Sequence, residues 1–213
     1  MSSRDGKSVG GPIERGRTES ERQRWTTRRA EVIDTAAELF AAQGYHATSI
    51  DDLVKATGLQ RGGLYHYMGS KKDLLIQIHE RFIMPLLAEA QEIAAIDQPA
   101  IEAVRQLGRA LMSDIAEYQD QVTVFLHEWR AVEDDAAWAD IRKARKEFED
   151  VVAGVLRRGE KEKAFRLGRR RLTVLAFLGM INYSYQWYDP TGSVAPDKIA
   201  DEFSSIFLDG ITV

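Results

Sequence analysis

The sequence predicts an all-α protein: an N-terminal three-helix head that ends in a helix-turn-helix, then a C-terminal helical domain. Three observations predict it. Apolar residues recur at three- and four-residue spacing along most of the chain. The stretch TSIDDLVKATGLQRGGLYHYMGSK (48–71) carries start and stop signals for two short helices around one glycine. From Asp97 to the end, no segment alternates apolar and polar residues as a half-buried strand would.

Taken in order, residues 1–25 are rich in Gly, Ser and Arg and poor in large apolar residues, so they read as a flexible basic arm. Such an arm either solubilises the chain or follows a nucleic-acid backbone, with Arg22, Arg24, Arg28 and Arg29 nearest the head. The head is expected over 26–75 and the larger helical domain over 76–213. A first helix from about Thr26 to Gln43 buries Val32, Ile33, Ala36, Ala37 and Phe40 and stops at Gly44. Thr48 and Ser49 offer N-caps with Asp51 and Asp52 three residues on, and Gly58 supplies the left-handed residue that ends the second helix. The third helix, Gln60 to Tyr67, keeps Leu64 inward and turns polar or aromatic side chains outward, which suits a DNA major groove.

Ser70 caps a fourth helix with the stripe Leu74, Leu75, Ile78 and Phe82, which Pro85 should kink or end. Further helices are expected from Pro99, over Gln119–Val132, over Asp135–Lys161, over Leu172–Trp187 and over Ala195–Leu208, with a polar connection at 161–171. Leu172–Trp187 is apolar nearly all round and so needs cover on two sides. One side can face its own domain and the other a second copy, which makes Phe177, Ile181 and Phe203 candidates for a homodimer interface.

Charge and composition narrow the function. The net charge is −4, yet residues 1–75 carry +2 and residues 76–213 carry −6, so the basic balance sits with the reading head. The chain has no cysteine, which excludes disulfides and thiolate chemistry. No apolar run is long enough to span a bilayer and the N-terminus lacks an apolar core, so the expected location is cytoplasmic, away from membranes. His79-Glu80 and His127-Glu128 lack the second histidine of a zinc-protease motif, and no phosphate-cradling glycine loop or nucleophile elbow occurs. The expectation is a protein that is not an enzyme and holds no metal or cofactor.

At the third helix Gln60 and Arg61 come early, where side chains approach base edges: Arg suits guanine and Gln suits adenine. Gly62 and Gly63 allow close approach at a helix-propensity cost of ~1 kcal/mol each. The segment ATGLQRGGLYHYMGSKKDLL, with the helix before it, resembles the TetR-type repressor signature over about residues 26–76. It departs in having Tyr67 where His is common and Met68 where Phe is common. The resemblance implies a homodimeric repressor of a double-stranded DNA operator, with Thr48, Tyr65, Tyr67 and Lys71 on phosphates. It also implies a pocket for a small effector among the fifth to eighth helices. Phe125, Trp129, Trp138, Asn182 and Tyr183 are its candidate lining, and His127 or Arg130 its polar anchors. The same aromatics would serve equally as core.

The tail NYSYQWYDPTGSVAPDKIADEFSSIFLDGI is similar to repressors that control steroid, fatty-acid and acyl-CoA breakdown. The expected effector is therefore apolar, an acyl or ring-bearing molecule or its coenzyme A thioester, whose phosphates Arg142, Lys143 and Arg145 could meet. The rival reading is a helical ligand-binding or scaffold protein that no longer reads DNA, against which Arg61, Tyr65 and Lys71 with the basic arm argue.

Overall fold

The computed structural model describes residues 18–128 and 136–213. The first seventeen residues and residues 129–135, with the candidates Trp129 and Arg130, lie outside the described residues. Helix α1 spans Glu19–Gln43, α2 Ile50–Thr57, α3 Arg61–Met68 and α4 Lys71–Ala95. The larger bundle follows with α5 Ala100–Glu117, α6 Gln119–His127, α7 Ala139–Lys161, α8 Arg170–Asn182 and α9 Pro196–Asp209. Among the described residues there is no strand beyond a single bridge between Phe165 and Thr212.

Helix α1 begins well before the expected start. The Thr18 side chain accepts from the Glu21 N–H while the Glu21 carboxylate accepts from the Thr18 N–H, a capping box that draws Glu19–Trp25 into the helix. Arg24 donates to Ser20 one turn back at 2.8 Å, and Arg28 to the Thr57 carbonyl of α2 at 2.9 Å. The four arginines assigned to an arm therefore sit on a helix.

The head is built as its sequence demands. Ser49, rather than Thr48, is the N-cap of α2, with Asp52 completing its capping box. Gly58 closes α2 at φ 66°, in the region where a side chain would be strained. Leu53, Leu64 and Met68 are buried in one core with Val32, Ala36 and Phe40 of α1, so the apolar hold on α3 comes from its inner face.

Helix α4 does not end at Pro85. It runs ten residues further, although proline cannot donate to the Arg81 carbonyl. Buried Phe82, Ile83, Leu86, Leu87, Ala90 and Ile93 flank the proline on both sides, and their packing holds the helix through it. The boundary expected at residue 75 thus falls inside a helix shared by head and bundle. Helix α5 is the bundle's central element and crosses α9 so closely that a Cβ on Gly108 would lie 2.5 Å from Ser204 Oγ. The connection after α7 is anchored by Phe165, 4 % exposed, whose ring sits where a side chain on Gly159 would be. Arg166 N–H donates to the Ile211 carbonyl at 2.7 Å, tying this connection to the C-terminus.

Helix α8 is shorter than expected, because Tyr183–Gln186 forms a 3-10 turn. Its faces are also assigned differently. Phe177 and Ile181, each 1 % exposed, pack inside the protomer, Phe177 with its ring 5.1 Å from Phe207, so neither can meet a second copy. The outward stripe is Leu172 and Leu175 of α8, with Ile206 of α9 and half-buried Phe203 beside it.

Candidate functional site

The outward face of α3 is composed for contact with a polar surface. Gln60 is the N-cap of α3 and its amide makes no capping hydrogen bond, so it is free at the leading end of the helix. Arg61 follows, 61 % of its side chain exposed and paired with Asp51 of α2 at 2.6 Å. That carboxylate holds the guanidinium at the surface, and base contact requires exchanging it for guanine acceptors. A Cβ at Gly62 or Gly63 would meet nothing within 4 Å, so these glycines leave the helix surface bare for close approach. Tyr65 points outward, whereas Tyr67 is half-buried with its ring 6.2 Å from Trp25.

Lys71, first residue of α4, lies 4.4 Å over the Tyr45 ring. Burial lowers its ammonium below the ordinary value, while Glu128 and Asp52 pull the other way. Thr48 is a correction. It is 1 % exposed, and its hydroxyl donates to the Gly44 carbonyl at 2.9 Å and accepts from Gln43 Nε2 at 3.1 Å. Both functions of the hydroxyl are used within the head, so Thr48 shapes the entry to α2 and has nothing to offer a phosphate.

Two substitutions separate base from backbone contacts. Arg61→Ala should cost ~1–3 kcal/mol at one base position and relax preference there. Lys71→Ala should weaken all duplexes alike and reduce the salt slope by about one. Titrations of matched and mismatched duplexes at several salt concentrations check both.

The second site is a cavity of about 60 Å³ inside the bundle. Its walls come from α4 (Phe82, Ile83, Leu86), α5 (Leu111), α6 (Val122, Phe125, Leu126), α7 (Arg145, Phe148, Glu149) and α8 (Leu178, Asn182). Phe125 and Asn182 are where the sequence expected them. Trp138 is buried but lies off the wall, edge-on to His79 with centroids 4.5 Å apart. Tyr183 is 65 % exposed at the start of the 3-10 turn and cannot line the cavity. His127 is hydrogen-bonded to the Tyr185 hydroxyl on the exposed end of α6. Of the three basic candidates on α7 only Arg145 reaches the cavity, its guanidinium 4.6 Å over the Phe125 ring, while Lys143 pairs with Glu147 at 3.7 Å.

The α4 wall was missed because Phe82 and Leu86 belong to an apolar stripe that reads only as core; helix-to-helix neighbours would have been needed to find it. Among the described residues no cluster of three or more His, Asp or Glu could hold a metal, and no helix is long and apolar enough to cross a membrane.

A helix-turn-helix head joined through a shared α4 to a larger helical bundle defines the class as a DNA-binding regulator. Comparison with known proteins gives the family. "Bacterial regulatory proteins, tetR family" matches residues 32–78, and "Tetracyclin repressor-like, C-terminal domain" matches residues 97–211, more than half of the chain. The HTH-type transcriptional repressor KstR2 of Rhodococcus jostii is 30 % identical over 190 residues, covering 86 % of this chain and 91 % of that protein. The solved structure of the ketosteroid transcriptional regulator KstR2 of Mycobacterium tuberculosis superposes with a TM-score of 0.83 at 26 % identity, covering 87 % of this chain and 95 % of that one. AibR in complex with isovaleryl coenzyme A and operator DNA shares the fold, with a TM-score of 0.74 at 23 % identity over 84 % of this chain and 97 % of that one. The chain belongs to the TetR family of bacterial transcriptional regulators.

Proposed function

We propose that this protein is a non-catalytic, homodimeric repressor that leaves a palindromic operator when a small apolar effector enters the α4–α8 cavity. One observation carries the reading: α6 is at once a wall of the cavity and a polar contact of the head. Val122, Phe125 and Leu126 face the cavity. From the same helix Gln121 Nε2 donates to Asp34 of α1 at 2.9 Å, and Glu128, its C-cap, accepts the Tyr45 backbone N–H at 2.9 Å. Asp34 also holds Arg81 of α4 at 3.0 Å. An effector that displaces Phe125 therefore works against the bonds that orient the head.

The cavity is too small for an acyl chain or a ring system as it stands, so entry requires the walls to part, and that differential fit is what couples binding to shape. Two heads reading successive major grooves must sit ~34–36 Å apart, and a small rotation of either spoils the match. Similarity to KstR2, named for ketosteroids in one structure, and to AibR, solved with an acyl-coenzyme A, supports an acyl or steroid-type thioester as the effector. Arg145 is the cation placed to meet an acidic group at the cavity.

Selection from random duplexes should enrich a palindrome, and a panel of fatty acids, steroid acids and their coenzyme A thioesters should contain a compound that releases it. Glu128→Ala should keep effector affinity within about twofold while reducing the coupling between effector and operator by about fivefold or more. If no duplex is enriched, the scaffold reading replaces this one. A compound that binds tightly and leaves operator affinity unchanged removes the switch.

A further inference from the structure

Near Phe125 lie two buried polar groups that have no hydrogen-bond partner among the described residues. His79 of α4 is 0 % exposed, and its Nδ1 donates to the Leu75 carbonyl at 2.9 Å. Because that partner is a carbonyl, the proton sits on Nδ1 and Nε2 is left as a bare acceptor. Burial lowers the imidazole to about 4, so the ring is neutral near pH 7. Trp138, 2 % exposed at the foot of α7, presents an indole N–H donor. Neither His79 Nε2 nor Trp138 Nε1 has a hydrogen-bond partner among the described residues. The rings stand perpendicular with centroids 4.5 Å apart, and the Phe125 ring, which lines the cavity, is 5.3 Å from His79.

One unsatisfied acceptor beside one unsatisfied donor is a specific chemical demand. A buried polar group without a partner carries its desolvation penalty in full. An apolar group leaves both atoms unsatisfied. A ketone accepts from Trp138 but turns its lone pairs on Nε2, and a carboxylate does the same with a full charge. Of these groups only a hydroxyl does both jobs, accepting from the indole and donating to the imidazole.

We propose that His79 and Trp138 form a subsite for a hydroxyl group on an apolar effector skeleton, reached when Phe125 turns aside. The subsite rests on the effector reading above and refines it from an apolar molecule to a hydroxylated one. It also gives the effector a direct hold on α4, which carries Lys71 at its head end, and on α7, bridging two helices at the point where the cavity must open.

The test uses cyclohexanol, cyclohexanone and methylcyclohexane as matched probes on the full-length protein, with tryptophan indole N–H resonances followed by NMR. Cyclohexanol should bind about tenfold more tightly than either analogue, since a site built to hydrogen-bond a hydroxyl discriminates against molecules lacking it. It should also move the Trp138 indole signal, and the preference should fall to about onefold in His79→Phe and in Trp138→Phe. Equal binding of the three probes to the unmodified protein would overturn the proposal, with bound water as the pair's partner, and that comparison needs no variant to fold. A preference that survives both variants also overturns it by placing binding elsewhere. Operator release is scored separately on the selected palindrome. If apolar compounds release it with no preference for a hydroxyl, the effector reading stands and the subsite falls; if cyclohexanol is preferred and no compound releases DNA, the subsite stands and the switch falls.

Discussion

Leu175→Glu or Ile206→Glu is expected to yield a folded monomer whose operator affinity has dropped by about a hundredfold or more, toward the level of non-specific binding. Leu172 and Leu175 are 58 % and 47 % exposed on α8, and Ile206 is 56 % exposed on α9. Trp187, 48 % exposed, sets its ring edge-on to Phe203 at 6.1 Å between centroids and extends the same surface. Adjacent exposed apolar side chains on neighbouring helices are the mark of a surface made to be covered, and a two-fold axis lets one patch cover its own copy. A carboxylate there would have to be buried unpaired on association, while in the monomer it is simply solvated.

Phe177→Glu is the control. At 1 % exposure it would place the charge in the core and destroy the fold instead of releasing monomers. Light scattering with circular dichroism separates the outcomes. An unmodified protein that scatters at the 24.0 kDa chain mass under micromolar conditions would refute the interface.

That contrast marks where the sequence was legible and where it was not. Leu172–Trp187 reads as apolar on two sides, and it is. Which side faces inward depends on the helices packed against it, information that no window of sixteen residues contains. The residues chosen as partner contacts were the large ones, and large apolar residues are the ones a protomer's own core takes first. The head was far more legible, since its determinants are local: Gly58 lies at φ 66° as a helix-ending glycine should, and Leu64 is fully buried while Arg61 and Tyr65 are not.

Even there, two hydroxyls each followed three residues later by an aspartate could not be ranked. The backbone resolved them by making Ser49 the cap and enclosing Thr48. Pro85 misled for a related reason. Its local cost is real, but buried side chains over the following turns outweigh one lost hydrogen bond. The cavity was legible only in part, at Phe125 and Asn182, because five helices build it and its α4 wall looks like ordinary core.

Stability should be nearly flat between about pH 4 and 6.5 as far as His79 and Asp114 are concerned, because the two groups act with opposite sign. Burial lowers the His79 imidazole from 6.5 to about 4; the Leu75 carbonyl opposes this and Arg145 adds to it. In that window the unfolded chain takes up a proton that the folded chain refuses, so stability falls as pH falls, by roughly 3 kcal/mol in all. Asp114 on α5 is the converse. Burial first, then Glu89 and Glu117, raise its carboxyl from 3.8 to about 7. The folded chain keeps a proton that the unfolded chain releases, so stability falls as pH rises from 3.8 to 7, by at most roughly 4 kcal/mol and by less as solvent screens this partly exposed carboxyl. Removing either group should unmask the other. Asp114→Asn should be the more stable protein at pH 8 and should lose stability steeply on acidification below pH 6.5. His79→Phe should instead gain stability on acidification from pH 7 toward pH 4, whatever its absolute stability. The exposed carboxylates Asp52, Asp189 and Asp201, whose hydrogen bonds hold them below the ordinary range, titrate beneath this window and contribute a background common to all three proteins. Guanidinium unfolding at pH 4.5, 6 and 8 reads the slopes directly. Parallel profiles for the unmodified protein and both variants would show that neither group is buried as the structure places it.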